Sequence, residues 1–265
     1  QKNKRTYYPL SVLLLVCLFL FSGCDRRELT YSDEAEITLT ADWSKAGLSE
    51  QEGQYGATAV FYPTDGSTPI TVLMGDRSRK IVRMKGGRYN VVLFNRSFDD
   101  FGGIAFRGME AHHTLEAYAK NAQTKGMDNG KVATDSPDEL AADYVEEFEV
   151  TPDMLGNYEP SATRNTKNPS PCQLFFTPRK LTKEITATIH IKGMNNIRTA
   201  TCTLGGVPES VFLVSGKPSE RVMTQQFELD HPVYLPGSQT EGTMSATFSV
   251  FGFDENLPHD LSIKA

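Results

Sequence analysis

Apolar and polar residues alternate one for one through most of this chain, and a period of two commits a segment to β-strand. In Glu36-Ile37-Thr38-Leu39-Thr40-Ala41-Asp42-Trp43, residues Ile37, Leu39, Ala41 and Trp43 share one face, and Glu36, Thr38, Thr40 and Asp42 share the other. That is a strand with one side in a core and one in water, and it makes Trp43 a core residue rather than a sugar platform. The same pattern returns at 57–62, 70–74, 80–84 and 89–95, then at 173–177, 184–191, 199–204, 210–214, 221–229 and 243–251. Val91-Val92-Leu93-Phe94 is apolar on both faces, which suits a central strand covered from two sides. Lys85-Gly86-Gly87-Arg88 separates two strands, and its paired glycines predict a tight hairpin.

Two stretches break the alternation with helical spacing. Residues 114–122 place Leu115, Tyr118, Ala119 and Ala122 on one stripe. Ser136-Pro137-Asp138-Glu139 has the form of a capping box with proline at the first helical position, followed by Leu140, Ala141, Tyr144, Val145 and Phe148. Both predict short helices that pack on a sheet. Residues 151–171 hold Pro152, Pro160, Pro169 and Pro171 among Asn, Ser and Thr, the best place for a boundary. The expected fold is mainly β: two tandem antiparallel β-sandwiches spanning 35–158 and 172–265, joined by a linker at 159–171, the first with short helical insertions.

A hydrophobic content of 39% and a charged content of 23% in 265 residues fit a folded protein with a sizeable core. A formal net charge of −6 argues against a nucleic-acid binder, which needs a basic face.

The first 24 residues give an address. Lys2, Lys4 and Arg5 precede an apolar run at 10–21, which as a helix reaches roughly 18 Å, too short for a hydrocarbon core of about 30 Å. Residues 1–23 therefore read as a signal peptide. The run ends in Phe21-Ser22-Gly23-Cys24, which resembles the bacterial lipobox, with phenylalanine where leucine is usual. Cleavage falls between Gly23 and Cys24, and the Cys24 thiol is the atom acylated; several acyl chains give stable attachment. A plain secretory signal with a chance cysteine is the alternative, but Cys24 stands where the apolar run yields to Asp25-Arg26-Arg27-Glu28. Residues 24–34 serve as a polar tether. The chain begins at Gln1 and stops inside an apparent strand at 260–265, so it reads as truncated at both ends.

Little of the sequence carries chemistry. Gly-x-Ser-x-Gly, P-loop, dinucleotide-binding and His-Glu-x-x-His motifs are missing, and the expectation is a protein without enzymatic activity, cofactor or metal. His112 and His113 are adjacent, which suits neither a helical nor a strand metal pair; they read as solvent-facing or capping. Asp99-Asp100 lies in the loop after the central strand, either as a calcium or glycoside-hydrolysis pair or as local turn formers. Asp128-Asn129-Gly130 starts like a calcium loop but lacks the later ligands. Cys172 and Cys202 stay open between two buried thiols and a disulfide. Such a bridge closes a loop of ~30 residues and contributes roughly 3 to 4 kcal/mol in the chain-entropy model.

Several segments together look like a known family. A lipobox leads through Glu28-Leu29 to Ala41-Asp42-Trp43-Ser44, then to Val60-Phe61-Tyr62-Pro63-Thr64-Asp65-Gly66, Gly86-Gly87-Arg88-Tyr89-Asn90-Val91-Val92-Leu93-Phe94-Asn95 and Phe101-Gly102-Gly103-Ile104. The combination, over 24–106, resembles an uncharacterised family of surface lipoproteins from gut anaerobes, similar to anchor and accessory subunits of type V pili in the fimbrillin superfamily. The second half shares only the β pattern. The resemblance implies transthyretin-like sandwiches on a lipidated N-terminus in the outer membrane, on its periplasmic or cell-surface side. It also implies pilin-like partner subunits joined by β-strand complementation. Only Cys24 carries over as a functional residue. Arg26-Arg27 is the sole basic site near the first strand, which fits an anchor or accessory subunit better than a shaft pilin. A glycan-binding surface lipoprotein, suggested by Asp99-Asp100 and by ten tyrosines, is the alternative.

Overall fold

The computed structural model describes residues 32–121, 133–156, 172–197, 200–253 and 258–264. The strands in the first half are β1 (Glu34–Ala41), β2 (Ala57–Pro63), β3 (Ile70–Met74), β4 (Arg79–Lys85), β5 (Gly87–Asn95), β6 (Ile104–Arg107), β7 (Glu116–Ala119), β8 (Ala133–Thr134) and β9 (Ala141–Val150). Next come β10 (Gln173–Phe176), β11 (Arg179–Lys180), β12 (Lys183–Lys192), β13 (Ala200–Pro208), β14 (Ser210–Phe212), β15 (Val222–Tyr234), β16 (Glu241–Val250) and β17 (Leu261–Lys264). The fold is mainly β and its ladders are antiparallel except for β1–β10 and β8–β15.

A five-stranded sheet, β11-β9-β5-β2-β3, stands at the centre of the first sandwich. Because β2 and β5 are apolar on both faces, the sheet builds two cores. Phe61, Val91 and Leu93 face Ile37, Leu39, Val82, Leu174 and Phe176 of the sheet β10-β1-β4. Val60, Val92 and Phe94 face the other way, onto Ile104, Leu115 and Ala117 of the sheet β14-β7-β6 and onto Val211, Leu213 and Phe251. Trp43 is buried in the first of these cores, and its Nε1 donates to the Arg77 carbonyl at 2.9 Å.

The second sandwich follows one continuous ladder, β12-β16-β15-β13-β17. Its core holds Cys202, Phe227, Leu229, Met244, Phe248 and Val250, with Phe227 and Phe248 stacked at 4.2 Å. Residues on both sides of the 159–171 stretch meet in one ladder. The first strands after it lie on the first sandwich, β10 parallel to β1 and β11 against β9.

Three local expectations are corrected. Residues 114–122 do not form a helix: a 3₁₀ turn at His112–Thr114 leads into β7, where Leu115, Ala117 and Ala119 are buried at every second position. Residues 136–148 form an extended connector and then β9, paired with β5. The carboxylates read as a capping box serve distant partners instead. Asp138 accepts from the Gly103 amide at 2.7 Å, and Glu139 from the Ser49 amide at 2.9 Å. Tyr144, Val145, Phe148 and Val150 are β-formers, and a sheet neighbour outweighs the marginal stability of a short helix. The helical insertions that do occur in this half are 3₁₀ turns at Trp43–Lys45, Glu50–Gln54, His112–Thr114 and Pro152–Met154. Lys85-Gly86-Gly87-Arg88 is no hairpin either. β4 pairs with β1 while β5 pairs with β2 and β9, so the turn carries the chain between sheets, with Gly87 at φ 149°.

Candidate functional site

The second sandwich is closed on one side and open on the other. β15 is long enough to serve both sheets: its first part pairs with β13 and its last part with β16. The path from β12 to β17 therefore curls around a core, and among the described residues each end strand pairs on one side only. Among the described residues no ladder joins β12 to β17. Along β12, Ile185, Ala187, Ile189 and Ile191 point to the core but remain half-buried, alternating with exposed Glu184, Thr186, Thr188 and His190. Across the opening, Leu261 and Ile263 of β17 pair with Leu204 and Cys202 and so face the same interior. They are 51% and 45% exposed. Inward-facing isoleucines and leucines left half in water retain unspent burial, at about 25 cal/mol per Å². Free edges also present backbone donors and acceptors to an added strand.

The sequence signal for this edge is present but faint. β12 alternates well, and Lys183 and Lys192 stand at its ends, where lysines commonly mark exposed edges. Alternation alone does not say which strands become edges.

Elsewhere charged groups knit the first sandwich. Arg96, in a left-handed conformation at φ 63°, directs its guanidinium onto the Glu52 carboxylate, with Asp138 at 3.1 Å and the Tyr55 ring 4.2 Å away. Asn95 donates to Glu52 and to the Glu139 carbonyl and accepts from the Ala141 amide. A second network joins Arg107 to Glu116, 2.9 Å from Nη2 to Oε1, and Glu116 also accepts from Ser210 Oγ. Arg107 holds the Glu116 carboxyl below its ordinary value. Glu209 receives both Arg107 and Arg221. Glu209 Oε2 is held by these ion pairs without a hydrogen bond; the sequence marks none of these side chains, since nothing local shows that Arg96 and Glu52 converge.

The residues singled out by sequence fall as follows. Asp100 closes its own turn, accepting from Ser97 Oγ at 2.7 Å and from the Ser97 amide, which lowers its pKa. Asp100 is a turn former. His112 leans on the Tyr62 ring at 6.2 Å, where burial lowers its pKa; His113 is exposed. Cys172 lies in the first core and Cys202 in that of the second sandwich, both as buried thiols whose pKa burial raises. Gly23, Cys24, the 1–23 leader, most of the tether, the stretch 128–130 and the whole of the 159–171 linker lie outside the described residues. Among the described residues no group of three or more His, Cys, Asp or Glu side chains is arranged to hold a metal ion, and no helix is long and apolar enough to cross a membrane.

Residues 23–228 match the family described as Domain of unknown function (DUF5119). A protein of Bacteroides ovatus provisionally named fimbrium anchoring subunit Fim4B is 22% identical over 248 residues, 91% of this chain. The chain spans 64% of that relative's length. Two solved structures share the fold. One is a provisionally named adhesin of Bacteroides ovatus, with a TM-score of 0.61, 20% identity and coverage of 89% of this chain and 74% of the other. The second, a provisionally named adhesin of Bacteroides thetaiotaomicron, has a TM-score of 0.55, 10% identity and coverage of 89% and 78%.

Proposed function

We propose that this chain, which belongs to the family described as Domain of unknown function (DUF5119), is a non-enzymatic lipoprotein of the outer membrane and an anchor or accessory subunit of a fimbrium. It is held by acyl chains on Cys24 and joined to a pilin-like subunit by β-strand addition. The open seam between β12 and β17 carries this reading. A donated strand with apolar residues at every second position would extend the ladder at β12 and cover Ile185, Ile189 and Ile191, combining backbone hydrogen bonds with side-chain burial. The relative named as a fimbrium anchoring subunit supports the assembly class, and the lipobox-like Phe21-Ser22-Gly23-Cys24 supports the anchor.

The test uses the full chain in intact cells. After chemical cross-linking, a pilin-like subunit is expected to co-purify with the protein, and Ile189→Asp to abolish its capture while membrane attachment persists. Cys24→Ala is expected to release the protein into the soluble fraction. Capture of the same partner by Ile189→Asp overturns strand addition. A seam filled by a further stretch of this same chain gives that result too, together with a lower melting temperature. Unchanged membrane attachment of Cys24→Ala overturns the anchor.

A further inference from the structure

On the outer face of the sheet β14-β7-β6 the register lines up a row of side chains. Arg107 of β6 stands opposite Glu116 of β7, and Glu116 stands opposite Phe212 of β14. After a turn the chain runs back along β14 and continues the row. Val211 is bridged to Pro218, and the Phe212 amide donates to the Lys217 carbonyl at 3.1 Å. Alternation separates this face from the core. Ala117 and Val211, the neighbours of Glu116 and Phe212 along their strands, are fully buried beneath the sheet, so Arg107, Glu116, Phe212 and Lys217 lie on its solvent side. Over them opens a cavity of about 640 Å³, within the range of small-ligand sites, and Glu220 and Arg221 complete its charged lining.

The polar groups of this row are held in place before any ligand arrives. Arg107 lies over the Tyr118 ring at 5.0 Å and grips Glu116 with two nitrogens, and Glu116 also accepts from Ser210 Oγ. Glu209 receives Arg107 at 3.5 Å and Arg221 at 3.2 Å. Among the described residues, Arg107 Nη1, Lys217 Nζ and the Glu220 carboxylate have no hydrogen bond or ion pair, so donors and an acceptor remain to be used. The charges balance. Arg107, Lys217 and Arg221 stand against Glu116, Glu220 and the underlying Glu209, so an ion of either sign meets as many like charges as opposite ones. A hydroxyl both donates and accepts, and a ligand rich in hydroxyls uses both kinds of group. Between Glu116 and Lys217 the half-buried Phe212 ring offers an apolar platform. The backbone of β14 is already occupied on this side. Besides the Phe212 amide, the Ser219 amide donates to the Ser210 carbonyl and the Glu209 amide to the Arg221 carbonyl, so an added peptide strand finds no ladder there.

The geometry points to a binding site for a neutral saccharide on this face. A pyranose ring lays its C–H face on Phe212. On one side its hydroxyls accept from Arg107 and donate to Glu116, and on the other they accept from Lys217 and donate to Glu220. The site shares no residue with the β12–β17 seam, makes no use of Asp99-Asp100 and does not depend on strand addition.

The probes are arrayed neutral oligosaccharides of glucose, galactose, mannose and fucose, beside uronate, sulfated and amino-sugar counterparts, all incubated with the full chain. Retention on at least one neutral saccharide is expected, and that saccharide is then titrated into the full chain by calorimetry. Its affinity is expected to stay constant as salt rises, because a neutral ligand leaves nothing for salt to screen. Phe212→Leu keeps an apolar side chain but removes the ring, and is expected to weaken binding about threefold to tenfold. Lys217→Ala with Glu220→Ala is expected to weaken it about tenfold; both side chains are exposed, so the melting temperature should not move. Phe175→Leu, at an aromatic 64% exposed on the sheet β10-β1-β4, is expected to leave binding unaltered. Retention on no neutral saccharide overturns the assignment. So does retention confined to charged saccharides, an affinity that falls steeply with salt, binding unmoved by either site variant, or an equal loss in Phe175→Leu.

Discussion

Strand β5 of the first sandwich buries Val91, Val92, Leu93 and Phe94 against two separate cores, whereas β12 of the second leaves Ile185, Ile189 and Ile191 half in water. Both segments are extended, but Val91–Phe94 is apolar on both faces and β12 on one only, and they differ in what lies over the apolar residues. A three-layer arrangement covers β5 on each face. The second sandwich folds one ladder around a single core, and among the described residues β12 and β17 each pair on one side only. Charge follows the same division. The first region buries the Glu52–Arg96–Asp138 network and also carries exposed pairs such as Arg88–Glu149, while the Lys192–Glu241 pair of the second lies at 3.9 Å in solvent. A strand enclosed on both faces suits a scaffold, and one whose apolar face is half in water suits attachment.

Truncation separates the two regions most strongly. Phe94→Ala is expected to cost about 4 kcal/mol because its ring is fully enclosed, and Ile189→Ala only about 1 kcal/mol because water already reaches it. Denaturant unfolding of the two variants measures the difference, and equal losses would mean that β12 is covered in solution. Glu52→Gln ranks next, at about 3 kcal/mol, since it leaves the Arg96 guanidinium buried without its main counter-charge. Thermal unfolding checks it, and Arg96→Met in the same background should restore part of the loss. Acid gives the subtlest contrast. Arg107 depresses the Glu116 carboxyl in the folded state, so that contribution is complete above the ordinary value of 4.5 and is lost as pH falls through the lower folded value. Probes in the first sandwich, such as Trp43 fluorescence, should therefore report loosening below pH 4.5 before hydrogen exchange in β12 to β17 changes. Simultaneous loss would show that the regions unfold together.

Alternation made the strands of both regions legible, and Trp43 and the Val91–Phe94 run took the places their patterns predicted. The two errors of kind came from segments whose helical spacing was real but short. In 136–148 the carboxylates of Asp138 and Glu139 could cap a helix or reach Gly103, Arg96, Ser49 and Lys180, and the choice depends on residues 30 to 90 positions away. The paired glycines at 86 and 87 were read as a turn correctly, but a turn does not state which sheet receives the next strand. For the candidate site, the isoleucines of β12 were visible as one strand face, while their incomplete burial was not.

By itself the sequence determined a β protein, the identity of most strands and which side of each faces a core. These are local properties, fixed by side-chain period. Only the tertiary structure decided that β10 and β11 return to the first sandwich, that Arg96 meets Glu52, and that β12 and β17 stand at the two ends of their ladder among the described residues. Pairing between distant strands is set by the free energy of the whole packed arrangement, and no window of neighbouring residues contains that sum.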